Sequence, residues 1–349
     1  MKNAPIVPRE VTQAKLDIRS RAAQQHRASQ TYTMAERIEE SAVRFAQRSC
    51  LLYGQERYDY DQTNRRINQV AHAAYGQGLR CGDVVAMCFE NRPAFMFVWL
   101  GLVKLGVRVV FLNTHISGKP LVHALEETAA THVLIGEECL ELFAATDVPD
   151  NLHYWIWPDA ERPVSAALRQ RCTLDFEQLS LQAADTNPPA EWRAGLVAGD
   201  TSVYIFTSGT TGLPKAAIIS HARWLITGDV MVATINATQD DCFYCFLPLY
   251  HGAASLSAGA TAFTSGGSLL LRRKFSRSEF WSDVRRHNVT ICQYVGEICR
   301  FLLTVPPQPN DREHPLRKMI GAGMAPEVWN QWVSRFGDVF DIYEGWGST

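Results

Sequence analysis

The sequence predicts an α/β fold in which parallel-rich sheets are covered by helices and stacked in layers. Three observations predict it. From Gly82 onward, short apolar runs alternate with helical periodicities, as at 84–89, 94–105, 107–112, 117–129 and 132–135. The strand-like runs are apolar throughout, the pattern of strands buried on both faces. And 349 residues, 46% hydrophobic and 20% charged, suffice for one large or two ordinary domains with real cores.

The elements follow in order. Residues 1–30 read as an arm, helical over 13–25 with little apolar face. Thr33 with Glu36 forms a capping box for a helix that turns Met34, Ile38, Ala42 and Phe45 inward. A short hairpin about Gly54 spans 50–60, and Asp61 caps a second helix that stops before Gly78. The alternation from Gly82 gives strands at 84–89, 107–112 and 132–135. Tyr154 to Trp157 reads as an edge strand and Asn187-Pro188-Pro189 as a linker. After a strand ending near Thr207 come a helix over 221–237, a strand over 242–247, and a small-residue helix over 252–263. A strand at 268–271 precedes a second capping box, Ser276 with Glu279, opening a helix to His287. Strands at 289–295, up to Ile320 and at 339–343 alternate with helices at 297–303 and 325–336. These give an arm (1–30), a first α/β subdomain (31–195) and a second (196–349).

Composition excludes several classes. A net charge of −2 provides no field for a nucleic acid polymer. The nine cysteines are odd in number and irregular in spacing, which implies reduced thiols in a cytoplasm-like compartment. Cys242 and Cys245 form a C-x-x-C, but no second pair follows at zinc spacing, so they read as buried strand thiols. The N-terminus lacks a signal-peptide core, and no apolar run reaches the roughly 18–20 residues of a membrane span. The most apolar helix, 94–105, is interrupted by Lys104 and reads as buried.

One stretch carries the chemistry. Tyr204-Ile205-Phe206 breaks into Thr207-Ser208-Gly209-Thr210-Thr211-Gly212-Leu213-Pro214-Lys215 and then returns to apolar Ala216 to Ile219. Glycines let backbone N–H groups approach an anion, hydroxyls add donors, and Lys215 adds a positive charge for phosphate. A polar surface turn is the bland alternative; the order of the nine positions between two apolar runs argues for a phosphate-holding loop. It is not the G-x-x-x-x-G-K-[ST] loop, because Ala216 follows Lys215 where a magnesium-holding hydroxyl would stand.

Residues 207–215 resemble the phosphate loop of adenylate-forming enzymes, the superfamily of acyl-CoA synthetases, firefly luciferase and peptide-synthetase adenylation domains. Four further stretches are similar to that family in the same order. Asn91 to Leu125 looks like its early βαβ segment. Leu247-Pro248-Leu249-Tyr250-His251-Gly252 matches the segment whose histidine lies beside the acyl pocket, although a lone histidine is also a common structural group. Gly321-Ala322-Gly323 resembles the loop lining the adenosine site, and by itself is an ordinary tight turn. Tyr343-Glu344-Gly345-Trp346-Gly347-Ser348-Thr349 resembles an aromatic-between-glycines segment, with Trp346 offering a face for the base and Thr349 standing near the α-phosphate. Lys274-Phe275-Ser276 and the run from Gln293 to Arg300, including Tyr294 and Glu297, look like the fatty acid transport protein group of long-chain acyl-CoA synthetases.

What the resemblance implies is ATP-dependent activation of a long-chain fatty acid to acyl-AMP and then acyl-CoA. A carnitine- or crotonobetaine-type ligase, another acyl-CoA ligase, or a nucleotide-binding module without turnover are the alternatives. ATP, magnesium and coenzyme A are the expected cofactors and co-substrates. Thr207 is expected on magnesium, Ser208 to Gly212 and Lys215 on the phosphates, and Gly321, Ala322, Gly323, Glu344, Gly345, Trp346 and Thr349 around the nucleotide. His251, Gly252, Tyr294 and Glu297 are expected around the acyl group, with His251 and Lys215 catalytic. The family's next residue is a magnesium-binding glutamate, followed by a ribose-binding aspartate and a small domain with a catalytic lysine. All of these would lie beyond Thr349, so a chain ending there is expected not to complete the reaction. The expected location is cytoplasmic, with peripheral contact at the inner face of a membrane compatible with the family.

Overall fold

The computed structural model describes residues 8–207 and 212–345. The arm is a helix, Arg9–Ala23, in which only Ala22 is buried. Its end is tethered where His26 Nε2 meets Asp229 Oδ2 at 2.5 Å. The helix Met34–Arg44 begins with the predicted capping box, the Thr33 N–H donating to Glu36 at 2.7 Å. Strands β1 (Ser49–Tyr53) and β2 (Glu56–Asp59) form the hairpin about Gly54, whose φ is +55°. The next helix, Tyr60–Gly76, is capped by Asp59 rather than Asp61: Asp59 Oδ1 accepts the Gln62 N–H at 2.7 Å, and Gln62 returns the bond. Burial of Tyr60 pulls the helix start back by two residues, and Asp61 is left on the surface with Arg65 at 2.8 Å.

Then come β3 (Val84–Cys88), the helix Pro93–Lys104, β4 (Arg108–Phe111), the helix Lys119–Glu127, β5 (His132–Gly136), β6 (His153–Trp157), β7 (Leu174–Asp175), β8 (Thr201–Thr207) and β9 (Lys215–Ser220). They assemble a seven-stranded sheet in the order β7-β6-β5-β3-β4-β8-β9, parallel except for the hairpin β8/β9. Beyond it lie the helix His221–Ile235, β10 (Cys242–Cys245), a π-helix (Ala253–Gly259) running into an α-helix (Ala260–Ser265), and β11 (Ser268–Leu271). The helix Phe280–Arg286, β12 (Ile291–Val295), the helix Gly296–Leu303, β13 (Lys318–Ala322), the helix Pro326–Phe336 and β14 (Asp341–Glu344) complete the described chain. The second seven-stranded sheet has the order β14-β13-β12-β10-β11-β1-β2, parallel except for β1/β2.

Alternation along the strands builds the layers. In β10, Phe243 and Cys245 face a core shared by both sheets, whereas Cys242 and Tyr244 face an outer core under the last three long helices. In β3, Val85 and Met87 join the shared core and Ala86 and Cys88 an outer one. The helix Pro93–Lys104 lies in the shared core with all twelve residues buried. Each fully buried Leu, Val or Phe there contributes about 1.5–3 kcal/mol. The fold is therefore helix, sheet, helix, sheet, helix, as the alternating pattern predicts. Lys104 is the exception in that helix: its ammonium donates to Asn68 at 2.6 Å and Asn187 at 3.0 Å and pairs with Glu39 at 3.1 Å. Burial pulls its pKa down to about 8 against the pull of Glu39.

Four local expectations are corrected. Tyr154 to Trp157 lies inside the sheet, because the two-residue β7, too short for any sequence pattern, pairs on its outer side. The stretch 252–263 is π-helical before it is α-helical. Ser276 Oγ accepts the Glu279 N–H at 3.3 Å and closes a turn, but the helix itself starts at Phe280. The sheets also do not divide at residue 195: β8 and β9 join the first sheet, while β1 and β2 join the second. The linker residue Asn187 is itself part of the Lys104 cage. Both C-x-x-C thiols are buried on opposite faces of β10, and burial pushes Cys242 up to about 11 and Cys245 to about 12.

Candidate active site

Open α/β sheets bind ligands where the strand order reverses, beyond the carboxyl ends of the strands. In the second sheet the chain runs from β10 to β11 on one side and then to β12 on the other, so the crevice falls between β10 and β12. A cavity of about 740 Å³ opens there. His251, Gly252, Tyr294, Gly321, Ala322, Glu344 and Gly345 all line it. These seven residues come from four strand ends, and sequence reasoning had assigned each to the acyl or nucleotide side.

Glycine geometry makes the approach possible. A Cβ on Gly321 would lie 2.1 Å from the Tyr294 carbonyl oxygen, and one on Gly296 would lie 1.8 Å from the Gly323 carbonyl oxygen. The loops after β12 and β13 thus touch backbone to backbone. Glu344 ties the third strand end to them. Its carboxylate accepts from the backbone N–H of Gly323, whose φ is +80°, and from that of Met324 at 3.1 Å, and it also accepts the Tyr294 hydroxyl. Burial, then the proton held toward Glu344, push the Tyr294 phenol well above its ordinary range. His251 stands at the start of the opposite wall, and burial holds its imidazole below the usual value, hence neutral at pH 7.

Other expected residues lie elsewhere. Thr207 and Lys215 face each other as register partners at the end of β8/β9, with Thr207 Oγ1 3.4 Å from the Lys215 carbonyl oxygen. They and Gly212 stand apart from the residues lining the cavity, and Lys215 is exposed. The base of their loop is fixed to the helix Lys119–Glu127, whose His123 Nε2 lies 3.1 Å from the Pro214 carbonyl oxygen. Glu297 is exposed, 3.6 Å from Arg300, and does not line the cavity. Ser208, Gly209, Thr210, Thr211, Trp346 and Thr349 lie outside the described residues.

Sequence reasoning missed one wall. Arg223, Thr227, Met231 and Thr234 of the helix His221–Ile235 line the cavity, as do Arg19 of the arm and Gln293 of β12. The spacing of the first four by three or four residues is one helical face, a signal that could have been read. Arg19 had no such signal. Among the described residues no helix is long and apolar enough to cross a membrane, and no group of three or more His, Cys, Asp or Glu could hold a metal.

A crevice at a strand-order reversal, with glycine-bounded loops on one side and a mixed wall of apolar and polar side chains on the other, is the ligand-binding place of an open α/β protein. The chain belongs to the AMP-binding enzyme family, which it matches over residues 38–349. It is 38% identical to long-chain fatty acid transport protein 2 of Rattus norvegicus, over 89% of this chain and 49% of that protein. It is 35% identical to the medium/long-chain-fatty-acid–CoA ligase FadD6 of Mycobacterium tuberculosis, over 86% of this chain and 48% of the ligase. The chain spans about half the length of these relatives. Among solved structures it resembles the inhibitor-bound N-terminal domain of FACL13 from Mycobacterium tuberculosis (TM-score 0.76, 21% identity, 90% of this chain and 76% of that one). It also resembles the anthranilate CoA ligase AuaEII in complex with anthranoyl-AMP (TM-score 0.79, 20% identity, 93% of this chain and 61% of that one). These two likenesses concern the fold.

Proposed function

We propose that this chain forms the nucleotide- and acid-binding part of a long-chain fatty acid–CoA ligase that works through an acyl-adenylate. The observation that supports it most is the cavity between β10 and β12. Leu247, Leu256 and Ile320 give it an apolar flank for an acyl chain, and the Gly321–Ala322 and Glu344–Gly345 ends give it a backbone-lined flank for a nucleotide.

The difficulty of the reaction is electrostatic, since an anionic carboxylate must attack the α-phosphorus of ATP. One carboxylate oxygen bonds to that phosphorus, the bond to the bridging oxygen breaks, and pyrophosphate leaves. Coenzyme A thiol then attacks the acyl carbon and AMP leaves with the electron pair. Lys215 and the N–H groups of its loop offset charge on the departing pyrophosphate. Neutral His251 offers the carboxylate a ring N–H without pairing its charge, which leaves the carboxylate nucleophilic. Glu344 acts as a positioning residue that holds the Gly321–Gly323 loop in shape through Gly323, Met324 and Tyr294. Magnesium, when bound, would neutralise phosphate charge. Thr207, at the end of β8, would hold it through its hydroxyl beside the phosphates.

The test is ATP–pyrophosphate exchange by the full-length protein over straight-chain acids from acetate to very long chains, with crotonobetaine included. Exchange that peaks with long-chain acids is expected. A peak at crotonobetaine or at short acids would remove the fatty acid assignment, and no exchange with any acid would leave a nucleotide-binding module.

A further inference from the structure

Gln293 is unusual in the cavity wall. It sits in the middle of β12 with 5% of its surface exposed, between buried Cys292 and Tyr294. Its Nε2 donates to the Ala253 carbonyl oxygen at 2.5 Å. Its Oε1 is buried and has no partner among the described residues. Turning the amide over would set two oxygens against each other, so the orientation is settled by Ala253. A neutral hydrogen bond stabilises less than an orphaned buried acceptor costs. This side chain is therefore carried at no net gain in stability.

What it holds is the first residue of the π-helix. The same end is held by His251, whose carbonyl oxygen accepts the Ala254 N–H at 3.1 Å, the Ser255 N–H at 3.2 Å and the Ser255 hydroxyl at 3.1 Å. Leu256 and Ser257, in the body of the π-helix, line the cavity. π-Helical turns are wider than α-helical ones, occur rarely and collect at functional sites. Without the Gln293 tie the segment can tighten toward the α-helix that already follows it from Ala260, which would rotate Leu256 and Ser257 on the wall.

We infer that Gln293 is a specificity-determining residue for the acid. By gripping Ala253 it keeps 253–259 wound as a π-helix and fixes the width of the acyl channel just beyond His251. The inference rests on the proposed ligase reading. Its test uses the full-length protein, with Q293L and with Q293N, whose shorter arm cannot reach Ala253. Pyrophosphate exchange is measured over saturated acids of graded length, alongside thermal melting. Q293L, which buries no polar group in place of the amide, should melt no lower than wild type, and in both variants the ratio of kcat/KM between the best acid and one several carbons longer should shift by about tenfold or more. An unchanged ratio in both variants overturns the inference while leaving the ligase reading standing. A large fall in melting temperature in both would make the tie structural and overturn it equally. Wild-type protein that exchanges with no fatty acid would instead bring down the ligase reading, and the inference with it.

Discussion

The two sheets are built alike. Each has seven strands, each reverses its order between two parallel neighbours, and each carries one antiparallel hairpin at an edge. Their crevices differ. Between β3 and β5, the counterpart of the β10/β12 opening, Arg92 forks onto Glu138 with two bonds of 2.9 Å and reaches the Trp157 and Pro158 carbonyls at 3.1 Å. Glu137 beside it accepts the Asp159 and Val164 N–H groups at 2.8 Å. A Cβ on Gly136 would meet the Glu138 carboxylate at 2.6 Å. That crevice is filled by a buried ion pair, whereas glycines and a neutral histidine keep the other open. The hairpins diverge in the same way: β1/β2 turns tightly at Gly54, and β8/β9 carries the nine-position loop. One architecture thus supplies two equivalent openings and two equivalent turns, and side chains decide which of each is available to a ligand.

The comparison can be broken by experiment. The largest effect should come from the filled crevice. Glu138→Ala leaves the Arg92 guanidinium buried without its partner and should cost about 3–5 kcal/mol in urea unfolding, whereas the double change R92M/E138L should recover much of it. A tolerant E138A would mean the pair does not close that crevice. Next is the loop hairpin. Lys215→Ala in the full-length protein should lower pyrophosphate exchange by about 10²–10³-fold with an unaltered melting temperature. Glu56→Ala, at the first residue of β2 in the other hairpin, should leave exchange as it was.

The third contrast lies in the helices that follow the two hairpins. Asp59 and Ser220 cap them, and a buried ring comes next in each. The Tyr60 hydroxyl meets the carbonyls of Ala262 and Gly267 at 2.8 and 2.7 Å, but neither ring nitrogen of His221 has a partner among the described residues. Burial pulls His221 down to about 4, against a model-peptide value near 6.5. Its ring is neutral in both states above pH 6.5. As the pH falls toward 4 the unfolded chain takes the proton first, so stability should drop by about 3 kcal/mol across that window. Unfolding curves of H221F should lack this component; an equal slope in both proteins would rule His221 out as its source. The smallest effect is on the open crevice. Glu344→Gln keeps an acceptor for the Gly323 and Met324 N–H groups but loses charge, and should raise KM for ATP by about tenfold, leaving KM for the acid nearly unchanged. Parallel rises in both would place Glu344 outside the nucleotide half.

Much of this was legible. Apolar runs buried on both faces identify strands without a structure, and the layered α/β class followed from them. The Leu247–Gly252, Gly321–Gly323 and Tyr343–Gly345 stretches were readable only through their resemblance to the adenylate-forming family; alone, a glycine or proline at a strand's end is an ordinary turn. Glu344 illustrates the limit. Its place at the cavity was inferred from its neighbours, but the bond partners that occupy its carboxylate come from β12 and β13 and leave no mark nearby in sequence. Glu297 shows the reverse: a motif position whose side chain turns to solvent and Arg300. Asp59, not Asp61, became the cap because burial of Tyr60 outweighs a cap residue worth about 1 kcal/mol. The π-helix had no signal at all, since small residues suit either winding.

The exchange of hairpins between sheets has a consequence for biosynthesis. Leu51 and Leu52 are made early but pair with Leu269 and Leu270, and Val109 to Phe111 wait for Val203 to Ile205. Neither half of the chain can finish a sheet from its own strands. A nascent chain leaving the ribosome must hold the apolar edge of β1 unmatched until β11 emerges, a slow, non-local closure that exposes aggregation-prone edges. Protection by a chaperone should therefore matter most after β1 has emerged and before residue 268 is available.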